Sequence, residues 1–451
     1  MSSFYAIRGG RELTEDEFRA HVALAARLEN VGVLLGAGAS KGAGGGVMAD
    51  VWADVLGTAR TSAEWLIANK FLPENVLTGK VADVEGLLGA IALAEMEWKR
   101  VGSSTIELKR HCQEVLRAVL RAALLDESLW KQPEALSDTR KLDDHVRLLS
   151  RLVSNRQPGQ PAPWIFTTNY DLSLEWAAEL LSLHIINGFS GLHTRAFVPS
   201  NFDLGFRNAQ ARGEARFGTY NVYLAKMHGS LSWRVLEDGT VVERPAISQW
   251  TDVNSFLNKD EYKEWPGLLI FPSAAKFVQT VGFVYGEIIR RFTEFLSRPN
   301  VCLLVNGYGF NDDHLNRIII SALQNPTFQL IVYLPELDKL GLYPKLGAAD
   351  ADIRPNPLLE RLIRRELPQV TVCGYGSRAF FSSMTQDLPE PALLDDPAAR
   401  ARDLARILTE VADAKSDPRQ NVGEGGKVRA PRSSNNGSKK FSSGMDIKDL
   451  F

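Results

Sequence analysis

The sequence predicts an α/β fold: a doubly wound, mostly parallel sheet with a helical insert and a disordered C-terminal tail. Three observations predict it. Short apolar runs recur along the chain: VGVLLG (31–36), WIFTT (164–168), VYLAKM (222–227), LLIF (268–271), VCLLVN (301–306), FQLIVYL (328–334) and QVTVC (369–373). They do not alternate polar with apolar residues, so they read as strands buried on both faces. Helical patterns lie between most of them, and strands that alternate with helices imply parallel pairing. Glycine-rich turns follow three of the runs, at the sheet edge where doubly wound folds bind ligands.

The helices follow from apolar spacing and caps. Thr14 with Glu17 three residues on has the form of a capping box. Residues 105–125 place Leu108, Cys112, Val115, Leu116, Val119 and Leu120 on one face. Residues 277–297 do the same with Phe277, Val281, Ile288 and Phe292. The stretch from about 50 to 155 has little strand signal and reads as a helical insert between the first two strands. Residues 185–220 are loop-rich and suited to covering a cleft. A main domain over residues 1–390, a helix over 391–414 and a tail over 415–451 complete the expected organisation.

The 451 residues suffice for a large core, and 45% apolar with 24% charged residues is ordinary globular usage. A net charge of −2 gives no field that selects nucleic acid or membrane. Cys112, Cys302 and Cys373 form no CxxC pair, so a cysteine zinc site is not expected, and their scarcity suits a reducing compartment. The opening MSSFYAIRGG lacks a signal-peptide run, and no stretch approaches the ~20 apolar residues of a membrane span, which points to a cytoplasmic protein. From Lys415 the chain is rich in Gly, Ser and Asn; eight basic and four acidic residues give it +4. Such a segment cannot repay its ordering entropy. Its last residues, MDIKDLF, read as either a spent tail or a short docking peptide.

The first glycine turn is VGVLLGAGASKGAGGG. Gly36, Gly38 and Ser40 follow a buried strand, and a helix is expected to start near Ala49 or Asp50. Glycines let backbone N–H groups approach phosphate or ribose oxygens. The turn is not a P-loop, because no GK[ST] follows, and it is not GxGxxG. A second turn, VCLLVNGYGFNDDHLNRIII, sets Gly307 and Gly309 around Tyr308, with Asn311, Asp312 and Asp313 able to cap a helix. A third, VCGYGSRAF, contains Gly374 and Tyr375.

Two polar stretches sit at strand ends. TTNYD contains Thr168, Asn169, Tyr170 and Asp171; KMHGS contains His228. A histidine there is placed to act as a base near neutral pH, or to serve as a backbone-bonded structural residue. Asn169 offers a donor and an acceptor together, able to hold a hydroxyl or orient a water.

GAGAS, TTNYD, KMHGS and GYGFNDDHLN, in this order at strand ends, resemble the sirtuin-like (SIR2) domain, and most of all its bacterial branch found in antiphage defence. DVEGLLGAI (83–91) resembles that branch's acidic segment. The resemblance covers roughly residues 25–380. It implies a Rossmann-like fold that binds NAD and breaks its nicotinamide–ribose bond. It implies that Gly36, Ala37, Gly38 and Ser40 cradle the dinucleotide. It implies that Asn169, with Thr168 and Tyr170 beside it, holds the nicotinamide ribose and orients water, that Asp171 fixes the carboxamide, and that His228 is the base. Gly307, Tyr308 and Asn311 would line the adenosine side, with Gly374 and Tyr375 near the adenine.

Departures from the family are informative. The two CxxC pairs of protein deacylases are missing, which favours water over an acyl oxygen as nucleophile and implies no metal. SKGAGGGVMADVW replaces the deacylases' arginine-bearing segment, leaving Lys41 as the substitute. The expected activity is NAD hydrolysis to nicotinamide and ADP-ribose in antiphage defence, by abortive infection. Such activity must be gated by homo-oligomeric assembly or by a partner such as a nucleic-acid translocase/ATPase or an Argonaute-like protein. The alternatives are a non-catalytic NAD or ADP-ribose sensor and, less favoured, a deacylase.

Overall fold

A nine-stranded sheet organises the protein, as described by a computed structural model. The described residues are 4–78, 84–126, 128–131, 139–156, 159–206, 221–258, 267–269, 275–338, 341–342 and 357–390. They lie in a unit spanning Met1–Asp395; the expected helix over 391–414 and the tail over 415–451 fall outside them.

The strands of the main sheet, in chain order, are β1 (Tyr5–Arg8), β2 (Arg11–Leu13), β3 (Asn30–Leu35), β4 (Trp164–Thr167) and β5 (His184–Ile186). A second, five-stranded antiparallel sheet then takes β6 (Phe189–Ser190) and β7 (Arg195–Phe197). The main sheet resumes with β8 (Asn221–Lys226), and the second continues with β9 (Gly229–Val235), β10 (Val241–Glu243) and β11 (Gly267–Leu269). β12 (Val301–Asn306) and β13 (Gln329–Tyr333) return to the main sheet. β14 (Leu337–Asp338) and β15 (Gly341–Leu342) form a small hairpin, and β16 (Val370–Gly374) completes the main sheet.

The main order is β2-β1-β16-β13-β12-β3-β4-β8-β5, with parallel pairing from β16 to β5. β1 and β2 add an antiparallel edge through the turn at Gly9 and Gly10, both at positive φ. That two-glycine hairpin signal stands in the sequence as IRGGRE. LLIF, expected among the parallel strands, instead contributes β11 to the second sheet, antiparallel to β9. A short apolar run signals burial but not the sheet that provides it.

Burial on both faces explains why the central strands are apolar throughout. Leu34 packs with Phe166, Phe292 and Phe295 on one face. Val33 and Leu35 pack with Phe18, Leu148 and Ala177 on the other. The first face is covered by helix Ala275–Leu296, close to the expected 277–297. The second is covered by helices at Glu15–Ala25, Asp143–Ser154 and Ser173–Leu180. Thr14 forms both arms of the capping box with Glu17. Between β3 and β4 the described residues contain helices and no strand; the α-helices begin with Met48–Thr58 and include Ile106–Ala123 over the predicted amphipathic stretch. Trp52, Leu66, Leu87 and Val115 give these helices a core of their own.

Candidate functional site at the sheet switch point

Register aligns the candidate residues. Pairing places Cys373, Tyr333, Asn306, Leu35, Thr167 and Lys226 in one row across the sheet. The next residues, Gly374, Gly307, Gly36 and Thr168, emerge along the carboxyl edge. β3 is flanked by β4, reached first, and by β12, reached much later. The winding direction therefore reverses beside β3, where doubly wound sheets form their ligand crevice.

Two glycine turns meet at this reversal. A Cβ on Gly36 would lie 2.4 Å from the Gly307 carbonyl oxygen, and one on Gly38 would lie 2.8 Å from Gly307 Cα. Gly307 has φ +67, and its Cβ would fall 2.4 Å from the Ala39 nitrogen. Gly38 N–H donates to Gly307 at 3.1 Å. These glycines are needed for two turns to touch, a demand that exists before any ligand arrives. The chain after Gly36 turns directly into a short 3-10 helix, Ala37–Ala43, ahead of the α-helix at Met48. Ala37 is exposed at the edge and Ser40 is buried.

Asn169 joins the first turn to the turn after β4. Its Nδ2 donates to the Gly36 carbonyl at 3.0 Å and to Ser40 Oγ at 2.8 Å. Ser40 Oγ donates to Asp171 Oδ2 at 2.6 Å. Asp171 Oδ1 accepts from the Ser173 backbone and hydroxyl, which ties the turn to the following helix. Both amide hydrogens of Asn169 are thus engaged, and its half-buried Oδ1 has no hydrogen bond among the described residues. An amide held this way presents an acceptor. Asp171, expected to face a ligand, is buried and engaged within this network.

His228 lies two residues beyond β8, the strand on the far side of β4. The chain turns at Met227 and His228 and runs straight on into β9; Gly229 has φ +98. His228 Nε2 lies 3.1 Å from Asp312 Oδ2. Asp312 is the N-cap of the helix Asp313–Ala322, its Oδ1 accepting from the His314 and Leu315 N–H groups. Burial pushes the Asp312 carboxyl up, but hydrogen bonds from His228 and the helix N–H groups prevail and hold it below the usual range. Asp312 was visible in the sequence only as a cap. One carboxylate both capping a helix and holding a histidine from another strand is a tertiary fact.

The remaining candidates divide. Thr168 N–H bonds to Leu35, and the Tyr170 carbonyl accepts from Leu231 on β9, so both pin the turn. Asn311 is exposed on the β12 turn, after Phe310 in the left-handed region. The Tyr308 ring is buried in the core with its hydroxyl on Asn316 Oδ1 at 3.0 Å, so its side chain faces inward. Gly374 and the exposed Tyr375 share the edge but stand two strands from β12, roughly 10 Å away. Lys41 is exposed, 4.0 Å from Asp50. All three cysteines are free, and burial pushes each thiol up to about 12. Among the described residues, no group of three or more His, Cys, Asp or Glu is placed to hold a metal, and no helix is long and apolar enough to cross a membrane.

A doubly wound α/β protein with polar residues gathered at its switch point is a nucleotide-site architecture. Residues 163–340 match the SIR2-like domain family, a kind of domain that uses NAD. The matched segment holds Asn169, His228 and Asp312; Gly36–Ser40 precede it and join it through β3 and the Asn169 hydrogen bonds. Comparison with curated proteins gave no significant match.

Proposed function

We propose that the protein is an NAD glycohydrolase that releases nicotinamide and ADP-ribose. The observation that carries this reading is the Asn169 amide, held by Gly36 and Ser40 with Oδ1 unengaged at the switch point. In this reading Oδ1 accepts from a ribose hydroxyl or from the attacking water. The exposed ends of the Gly36–Ser40 and Gly307–Asn311 turns flank the dinucleotide, with the edge at Gly374 and Tyr375 on the adenine side. Asp171 acts through Ser40, keeping its hydroxyl turned so that it accepts from Asn169.

Hydrolysis adds water across the bond. The C–N electron pair leaves with the pyridine nitrogen, the water oxygen bonds to the ribosyl carbon, and a proton must be taken up. His228, backed by the Asp312 carboxylate, is the group placed to take it. A rigid amide and a paired imidazole supply orientation, the main demand of a reaction whose leaving group departs neutral.

The motifs' likeness to the antiphage branch extends the proposal: an effector that depletes NAD and is silent until gated by assembly or by a partner protein. The test is nicotinamide release from NAD, with and without candidate partners, for the parent chain, Asn169→Ala and His228→Ala. We expect a loss of at least ~100-fold in both variants, as for groups that position a reaction. Undiminished release would overturn the site assignment. Binding of NAD without release under any activating condition would leave a sensor.

A further inference from the structure

A buried ammonium sits beneath the candidate site, and neither the capping pattern nor the proposed chemistry uses it. Lys226, the last residue of β8, pairs in register with Thr167 and is 3% exposed. Its Nζ donates to the Asp171 carbonyl and lies 2.9 Å from Glu175 Oε1. A lysine in such a place is costly to desolvate, and an apolar side chain of similar volume would fill the space at lower cost. Lys226 leaves β8 two residues before His228 and grips the backbone of the turn that carries Asn169.

We propose that Lys226 is a positioning residue that sets the Asn169 turn relative to His228, with Glu175 as the counter-ion that keeps the ammonium aimed at the Asp171 carbonyl. The proposal rests on the reading of Asn169 and His228 as the reacting edge. The geometry is a short lever. Asp171 holds Ser40, Ser40 accepts from Asn169, and the same Asp171 backbone is fixed from the histidine's strand. A displacement of β8 against β4 is therefore passed directly to the amide.

Glu175 adds a protonation dependence to the clamp. Its Oε2 is buried without a hydrogen-bond partner, and burial pushes its carboxyl up to about 7 against the pull of Lys226. It faces Lys226 from β8 and, from β10, Glu243, whose own carboxylate pairs with Arg195 on β7; Glu179 lies one turn on along its own helix. As pH falls through about 7, Glu175 takes up a proton and Lys226 loses its counter-charge.

The test uses the full chain with Lys226→Met, the charge-neutral double variant Lys226→Met/Glu175→Gln, and Lys226→Arg. The double variant leaves no unpaired buried charge, so it should fold if the single one does not. The readouts are amide hydrogen exchange and nicotinamide release. The clamp predicts exchange of residues 168–172 at least ~10-fold faster in the double variant, with the centres of β4 and β8 unchanged. It predicts a kcat lower by ~10- to 100-fold with KM within about threefold, and partial recovery in Lys226→Arg. Unchanged exchange at 168–172 overturns the proposal, whatever happens to activity. Should the parent chain release no nicotinamide under any condition, the glycohydrolase reading fails while the exchange result still decides the clamp.

Discussion

The two arms of the candidate site are held by different means. Asn169 is fixed by short neutral hydrogen bonds from adjoining strand ends, through Gly36 and Ser40. His228 is fixed by a carboxylate that arrives from a helix on the other side of β3, Asp312. The first arm is a matter of local shape and the second of charge. The difference teaches where each arm is vulnerable. The asparagine arm should fail when the turns cannot pack, and the histidine arm should fail when a proton is added or a charge removed. The glycine contact between Gly36 and Gly307 is where the two arms meet.

The largest effect should come from breaking that meeting point. Gly307→Ala puts a Cβ into the Ala39 backbone at a left-handed φ. The φ penalty costs roughly 1–2 kcal/mol. The overlap costs about 1–3 kcal/mol more. Urea denaturation should show the combined loss, and a midpoint equal to that of the parent would break the account of the glycines.

Asp312→Asn should come next. Asparagine still caps the helix, so the fold should hold while His228 loses its anion. Nicotinamide release should drop ~10-fold or more, the scale of losing a charge-assisted hydrogen bond. The sign of the accompanying pH effect is fixed. A carboxyl held low in the folded state contributes stability above its unfolded value, near 3.8. That contribution is lost as pH falls through the folded value. The gap in melting temperature between neutral and strongly acid pH should therefore be smaller in Asp312→Asn than in the parent. Gaps of equal size would show that the pair carries no such linkage.

The smallest effect on turnover should be that of Ser40→Ala. It leaves the buried Asp171 Oδ2 without its donor and frees one Asn169 hydrogen, at a cost of roughly 1–3 kcal/mol in stability. The turnover of this variant should fall while its pH profile keeps the parent's shape, because the histidine arm is untouched. A displaced profile would show that the arms are not separable.

Much of the sheet was legible. Continuous apolar runs marked β3, β4, β8, β12, β13 and β16, because strands covered on both faces cannot afford polar residues. The N-terminal hairpin and the second sheet were missed: most of their strands are two to four residues long, and the longer β9, GSLSWRV, is mixed in composition though mostly buried. Asn169 and His228 were legible as polar interruptions at the ends of buried strands. Tyr308 was less so. The resemblance implied that it lines the adenosine side, while the core took the ring in and satisfied its hydroxyl at Asn316.

By itself the sequence determined which segments would be buried, where the chain would turn, and which polar residues would stand at strand ends. Each of those follows from local composition and spacing. Tertiary structure alone decided which polar groups would meet. Asp312 reaches His228 across 84 positions, Ser40 reaches Asp171 across 131, and Lys226 reaches Asp171 across 55. Strand order and register set those meetings, and a hydrogen bond between distant residues leaves no periodicity for a sequence to display.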